Sequence, residues 1–133
     1  MTTTTDIAVG TQLPPLRIEP ISRATLALFA GASGDHMPIH IDSDAAKKFG
    51  YDDVFAHGML SMAYLGRLLT NWVPQDKIKT YRARFTAVTP LHAEPTCTGR
   101  VTAVDDGLAT VELTVTIADG TVTLRGDATI DIT

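Results

Sequence analysis

The chain has 133 residues, 44% of them hydrophobic, which is enough apolar material for one core without disulfides or a structural metal. Lysine and arginine number 11 against 15 aspartate and glutamate, a formal net charge of -4 with no basic run. That balance excludes an electrostatic grip on nucleic acid or on an anionic membrane surface, so partners are expected among small molecules and proteins.

Cys97 is the single cysteine, without a CxxC spacing, and reads as a packed thiol in a reducing compartment. The opening MTTTTDIAVG lacks a basic segment followed by an apolar one. No apolar run approaches the ~20 residues that cross a bilayer, so a cytoplasmic protein is expected. A single domain is expected over 1–133, with residues 1–6 flexible as untethered termini are.

In chain order, residues 11–19 (TQLPPLRIE) hold two prolines and allow at most an edge strand. Ser22 is placed to cap a helix carrying Leu26, Ala27, Phe29 and Ala30, which Gly31 and Gly34 end. A loop, SGDHMPIHIDSD, follows, and then a brief helix through Ala45, Ala46 and Phe49, capped by Ser43 or Asp44 and stopped at Gly50. Residues 57–73 (HGMLSMAYLGRLLTNWV) are the longest helical candidate, with Arg67, Asn71 and Ser61 as its polar positions. Apolar nearly all round, this helix is predicted to be buried, with Met59, Met62, Tyr64 and Leu65 in the core.

Past Pro74 the pattern changes to strands. Tyr81, Ala83, Phe85 and Ala87 alternate with Arg82, Arg84 and Thr86 in a half-buried strand over 78–89. Residues 95–105 and 108–118 alternate valine with threonine across Asp106-Gly107, a strong two-residue hairpin signal, and Asp119-Gly120 precedes a last strand over 121–132. Consecutive antiparallel strands with one buried helix predict an α+β fold in which the sheet curls around that helix, the hot-dog arrangement.

The chemistry concentrates in the loop after the first helix. Asp35 and His40 stand five residues apart, with Gly34 relaxing the backbone and Pro38 stiffening it. A carboxylate and an imidazole held at one point can share a water, one taking its proton and the other relaying a proton to or from a substrate. On spacing alone the same residues also read as ordinary surface-loop groups. His36, Asp42 and Asp44 lie nearby, yet no HExxH, cysteine partner or calcium-loop spacing accompanies them, so no metal is expected.

The run from Phe29 to His40, FAGASGDHMPIH, with Ala46 six residues on, resembles the motif of the MaoC-like (R)-specific enoyl thioester hydratases and dehydratases. AHGMLS at 56–61 resembles that family's central-helix start, and RFTAVTP at 84–90 the strand that follows it. The resemblance implies a hot-dog fold, Asp35 and His40 as the acid/base pair, and Gly58 as the residue whose backbone N–H receives the thioester carbonyl. It also implies reversible hydration of a trans-2-enoyl thioester to the (R)-3-hydroxyacyl form, with a coenzyme A or acyl carrier protein thioester as substrate. No cofactor beyond water follows from it, and a homodimer or a heterodimer with another hot-dog subunit does. One departure is Met37, where the family has asparagine before the proline. It cannot replace the amide's hydrogen bonds, so either the loop is held differently or Met37 lines the acyl pocket.

Three residue roles stay open on the sequence. His57 serves either the site or the capping and packing of the helix start. Ser61 either orients His40 or faces a neighbouring carbonyl. Arg84, with Arg82, either holds substrate phosphates or belongs to a solvated strand face. The rival functions are a hot-dog acyl thioesterase and a non-catalytic acyl-binding subunit, against both of which the paired Asp35 and His40 argue.

Overall fold

Two tight turns organise the second half of the chain. Asp106 (φ 50°) and Gly107 (φ 76°) both take left-handed backbone, as a type I′ hairpin turn requires, and they join strands β3 (Thr96–Asp105) and β4 (Leu108–Thr116). Gly120 (φ 87°) lies in the turn to β5 (Val122–Asp131). The computed structural model describes residues 3–133, so Met1 and Thr2 of the segment expected to be flexible lie outside it. In the rest of that segment, Thr4–Asp6 form a 3-10 turn, with the Thr3 hydroxyl donating to Asp6 Oδ2.

The first half is helical. After a two-residue edge strand, β1 (Leu16–Arg17), come α1 (Arg23–Ser33), α2 (Pro38–Ile41), α3 (Ser43–Lys48) and the long α4 (Gly58–Thr70). Ser22 caps α1 as expected, its Oγ accepting from Thr25 N at 3.1 Å. Gly31 stays inside the helix, and termination falls to Gly34, whose φ of 77° a side chain would strain. Asp42, rather than Ser43 or Asp44, caps α3 through Oδ1, which accepts from Asp44 N and Ala45 N. Pro38 opens α2 inside what the sequence reads as loop, a position where proline's missing N–H costs nothing.

The antiparallel sheet has the order β1-β3-β4-β5-β2, with β2 spanning Ile78–Phe85. β2 therefore pairs with the last strand and stands at an edge. It is shorter than the expected 78–89 because Thr86 and Ala87 turn to share the Thr123 carbonyl, and Ala56 N bonds the Thr89 carbonyl instead of a sheet neighbour. The sheet wraps α4 in the predicted hot-dog arrangement. Leu65, Leu68 and Leu69 of α4 are buried against Val101, Val111, Leu113, Val115, Leu124, Ala128 and Ile130 of β3, β4 and β5. Each such leucine contributes roughly 1.5–3 kcal/mol relative to exposure. Cys97 lies in this core, and burial pushes its thiol up to about 11.

Burial of α4 is incomplete, contrary to expectation. Met59 is 57% exposed and begins a stripe with Ala63 and Arg67, four residues apart, along an uncovered flank beside the free edge of β2. Met62 and Tyr64 are half-buried and Leu65 is fully buried.

Gly126 marks where sheet packing is tightest: a Cβ built on it falls on the Arg82 carbonyl oxygen of β2, far inside contact distance. Gly126→Ala is expected to destabilise by about 1–3 kcal/mol, the range for overpacking, measured as a lower denaturant midpoint at unchanged slope.

Candidate active site

Three elements bring the site together. The left-handed turn at Gly34 releases the chain from α1 into Ser33-Gly34-Asp35, where Ser33 Oγ accepts from Asp35 N at 3.2 Å. Asp35 Oδ1 then accepts from Met37 N at 3.3 Å, so backbone N–H supplies here a tie that a side-chain amide at 37 was expected to give. The carboxylate remains exposed to solvent.

α2 turns His40 inward, where it is 7% exposed. Its Nδ1 lies 2.7 Å from the Phe55 carbonyl oxygen, and its ring meets the Phe55 ring edge-on at 4.9 Å. A carbonyl can only accept, so Nδ1 carries the proton and the Nε2 lone pair is left for another partner.

His57 immediately precedes α4 and is 1% exposed. It makes no side-chain cap; its Nε2 lies 3.1 Å from the Asp35 backbone carbonyl, which makes Nε2 the donor. Its ring stacks on His40 at 4.1 Å with an interplanar angle of 26°, and meets Phe29 edge-on at 4.8 Å. Burial pushes its pKa below the ordinary histidine value; the hydrogen bond to Asp35 opposes this and the charge of His40 adds to it.

A carboxylate oxygen of Asp35 and a ring nitrogen each of His40 and His57 all lie within 4.8 Å of one another. The set has metal-ligating chemistry but poor metal-ligating geometry. A ring nitrogen binds a metal in the plane of its ring at ~2.0–2.1 Å, and two nearly parallel rings stacked face to face share no such point.

Beside the histidines, the N–H groups of Gly58 and Met59 have no helical acceptor, whereas Leu60 N donates to the His57 carbonyl at 3.1 Å, and the helix dipole adds partial positive charge at this end. Gly58 lines a cleft of about 370 Å³ with Phe55, Ser61, Phe85, Val88 and Thr89. A Cβ at Gly58 would approach Phe85 Cε1 to 3.1 Å, so glycine also lets the Phe85 ring lie over the helix start.

The remaining sequence candidates are dispersed. Ser61 is buried on the cleft wall, its hydroxyl 3.4 Å from Thr89 Oγ1, so it faces a threonine rather than a carbonyl. Met37 is 51% exposed at the start of α2 and is not among the residues that line the cleft. Tyr81, Ala83 and Phe85 face α4, the Tyr81 hydroxyl donating to the Met62 carbonyl at 2.6 Å, which turns Arg82 and Arg84 to the opposite face of the sheet. There Arg82 makes a two-pronged pair with Asp127, and Arg84 stands directly across from Arg125. Phe55 and Thr89 escaped sequence reasoning. Phe55 acts through a backbone carbonyl, which leaves no mark on residue type.

The MaoC like domain model matches residues 6–124. The chain is 31% identical over 115 residues to 3-hydroxyacyl-thioester dehydratase Z of Mycobacterium tuberculosis, covering 81% of this chain and 74% of that one. It is 30% identical over 114 residues to an (R)-specific enoyl-CoA hydratase of Rhodospirillum rubrum, covering 83% and 78%. A more local match, 44% over 50 residues, spans only 18% of 3-hydroxyacyl-thioester dehydratase X of M. tuberculosis. Among solved structures, the ChsH1-ChsH2 complex of M. tuberculosis superposes with a TM-score of 0.83 at 26% identity, covering 93% of this chain and 97% of that one. With the family motif at 29–40 folded into one site at the head of the buried helix, and the match running through nearly the whole sheet, this chain belongs to the MaoC-like domain family.

Proposed function

We propose that the protein catalyses the reversible syn addition of water to a trans-2-enoyl thioester, giving the (R)-3-hydroxyacyl thioester, with coenzyme A or an acyl carrier protein as the thiol. The observation that supports this most is the convergence of the Asp35 carboxylate and the His40 ring beside the open N-terminus of α4. The (R)-specific hydratase and the 3-hydroxyacyl-thioester dehydratase among the relatives have names of the same reaction class.

In this mechanism a water lies between Asp35 and His40 Nε2. Asp35 is the base toward it, and the hydroxyl forms the C3–O bond. His40, fixed by Phe55, holds the water through its free Nε2, receives there the proton that Asp35 has taken, and passes that proton to C2. The proton lost by water is balanced by the one gained at C2, so the pair returns to its starting state. Both additions come from the face that the pair occupies, which makes the addition syn. Charge that builds on the thioester oxygen is met by the Gly58 N–H. No step requires a metal or a redox cofactor. The cleft lined by Phe55, Phe85 and Val88 offers apolar walls for the acyl group, and Ser61 meets Thr89 on its inner side.

A second hot-dog subunit, identical or related, covers the Met59, Ala63 and Arg67 stripe and the free edge of β2. We place the reaction in the cytoplasm. Among the described residues no helix is long and apolar enough to cross a membrane.

Loss of enoyl absorbance from crotonyl-CoA, without release of free thiol from acetyl-CoA or octanoyl-CoA, is the expected result with purified protein; thiol release without hydration would assign it to the thioesterases. Asp35→Asn and His40→Ala are each expected to cost ~10²- to 10⁴-fold in kcat, and the double variant little more than the worse single one. Multiplying penalties would mean that the two groups do not share a water. Chelation is expected to leave turnover unchanged, and a rate lost to chelator and restored by a divalent ion would overturn the metal-free mechanism. In sedimentation the active species is expected near twice the 14.2 kDa of one chain, or larger with a partner subunit, and full activity in a single-chain species would contradict the paired assembly.

A further inference from the structure

His57 is a buried histidine whose chemistry the proposed reaction leaves idle, and it is also poorly served by its surroundings. Among the described residues its Nδ1 is the single buried side-chain nitrogen or oxygen without a hydrogen-bond partner. A buried acceptor left unpaired costs free energy, and an apolar ring in the same space would avoid that cost. What histidine adds at this position is the Nε2–H, and its acceptor is the backbone carbonyl of Asp35, 3.1 Å away.

The same ring stacks on His40, with centroids 4.1 Å apart, and meets Phe29 edge-on at 4.8 Å. His57 therefore touches both halves of the pair: one through a hydrogen bond to its main chain, the other through a ring face. Its own placement is rigid because it is the last residue before α4, the helix that the sheet encloses. Asp35, in contrast, sits on an exposed loop between Gly34 and Pro38, and few other contacts set its position.

We propose that His57 is a positioning residue that ties the Asp35 main chain and the His40 ring to the head of α4, and so fixes the separation of the two groups on either side of the reacting water. This rests on the reading of Asp35 and His40 as the acid/base pair. It differs from a packing role in which part of the imidazole matters: packing needs the ring, whereas positioning of Asp35 needs the donor.

Two variants separate these. His57→Phe keeps a ring of similar shape and removes the donor, while His57→Gln loses the ring and keeps an N–H donor at the reach of Nε2. With melting temperatures compared alongside, His57→Phe is expected to lower kcat by ~10²-fold with KM within about threefold, the penalty typical of a misplaced catalytic group. His57→Gln is expected to recover roughly tenfold of that loss. A packing role predicts the reverse order. His57→Phe matching or exceeding His57→Gln, or retaining more than about a third of wild-type kcat, would overturn the proposal.

If neither variant folds, nitrogen-15 spectra of the wild-type protein decide. The His57 ring is expected as a neutral Nε2–H tautomer that persists below the ordinary histidine range, and an Nδ1–H tautomer or ordinary titration would count against it. Absence of any hydration by the wild-type protein would instead sink the acid/base reading, and the spectra would still report whether the Asp35 tie exists.

Discussion

Enclosure of α4 by the sheet is the constraint on which the rest of the structure depends. Leu65, Leu68 and Leu69 have no surface to occupy except the concave face of β3, β4 and β5, and their burial fixes the axis of the helix. A helix held along its length has its N-terminus held too, and at that end lie His57 and the N–H groups of Gly58 and Met59, which no helical carbonyl can satisfy. The candidate site is thus built against the enclosed helix, although Asp35 comes from a loop and His40 from the short α2. Rigid support is the usual requirement for keeping reacting atoms within a fraction of an ångström of their working geometry.

Backbone groups do much of that holding. The Phe55 carbonyl sets which nitrogen of His40 is free, the Asp35 carbonyl receives His57, and Met37 N restrains the Asp35 carboxylate. Because these contacts use the main chain, they tolerate changes of side chain, and they account for a loop that holds together with methionine at position 37. Gly58 has two reasons to be glycine: the close approach of a thioester to its N–H that the proposed mechanism calls for, and the Phe85 ring, which leaves no comfortable room for a Cβ. The second reason is structural and holds whatever the substrate.

Much of the fold was legible in the sequence. The Asp106-Gly107 turn, with positive φ at both residues, and the alternation of valine with threonine located β3 and β4, while Asp119-Gly120 marked the start of β5 through a longer turn in which only Gly120 is left-handed. The apolar length of 57–73 pointed to the enclosed helix, but not to its open flank at Met59, Ala63 and Arg67, which depends on where the edge strand β2 lies. α2 escaped notice because four residues are too few for periodicity, and the Asp42 cap because its neighbours cap equally well on paper. In the site, Asp35, His40 and Gly58 were legible through their likeness to a family motif, whereas the roles of Phe55 and Thr89 lie in long-range contacts. Arg84 has suitable chemistry for a phosphate, but strand alternation turns it away from the helix side of the sheet.

One shared water on one face of the substrate is the centre of the account, and the stereochemistry of addition reads it most directly. Hydration of crotonyl-CoA in deuterium oxide is predicted to give (R)-3-hydroxybutyryl-CoA with a single deuterium at C2, on the same face as the new hydroxyl. An anti relation between deuterium and hydroxyl would place the proton donor and the water on opposite faces and contradict the Asp35–His40 mechanism, and an (S) product would mean that the other face of the enoyl group meets the pair.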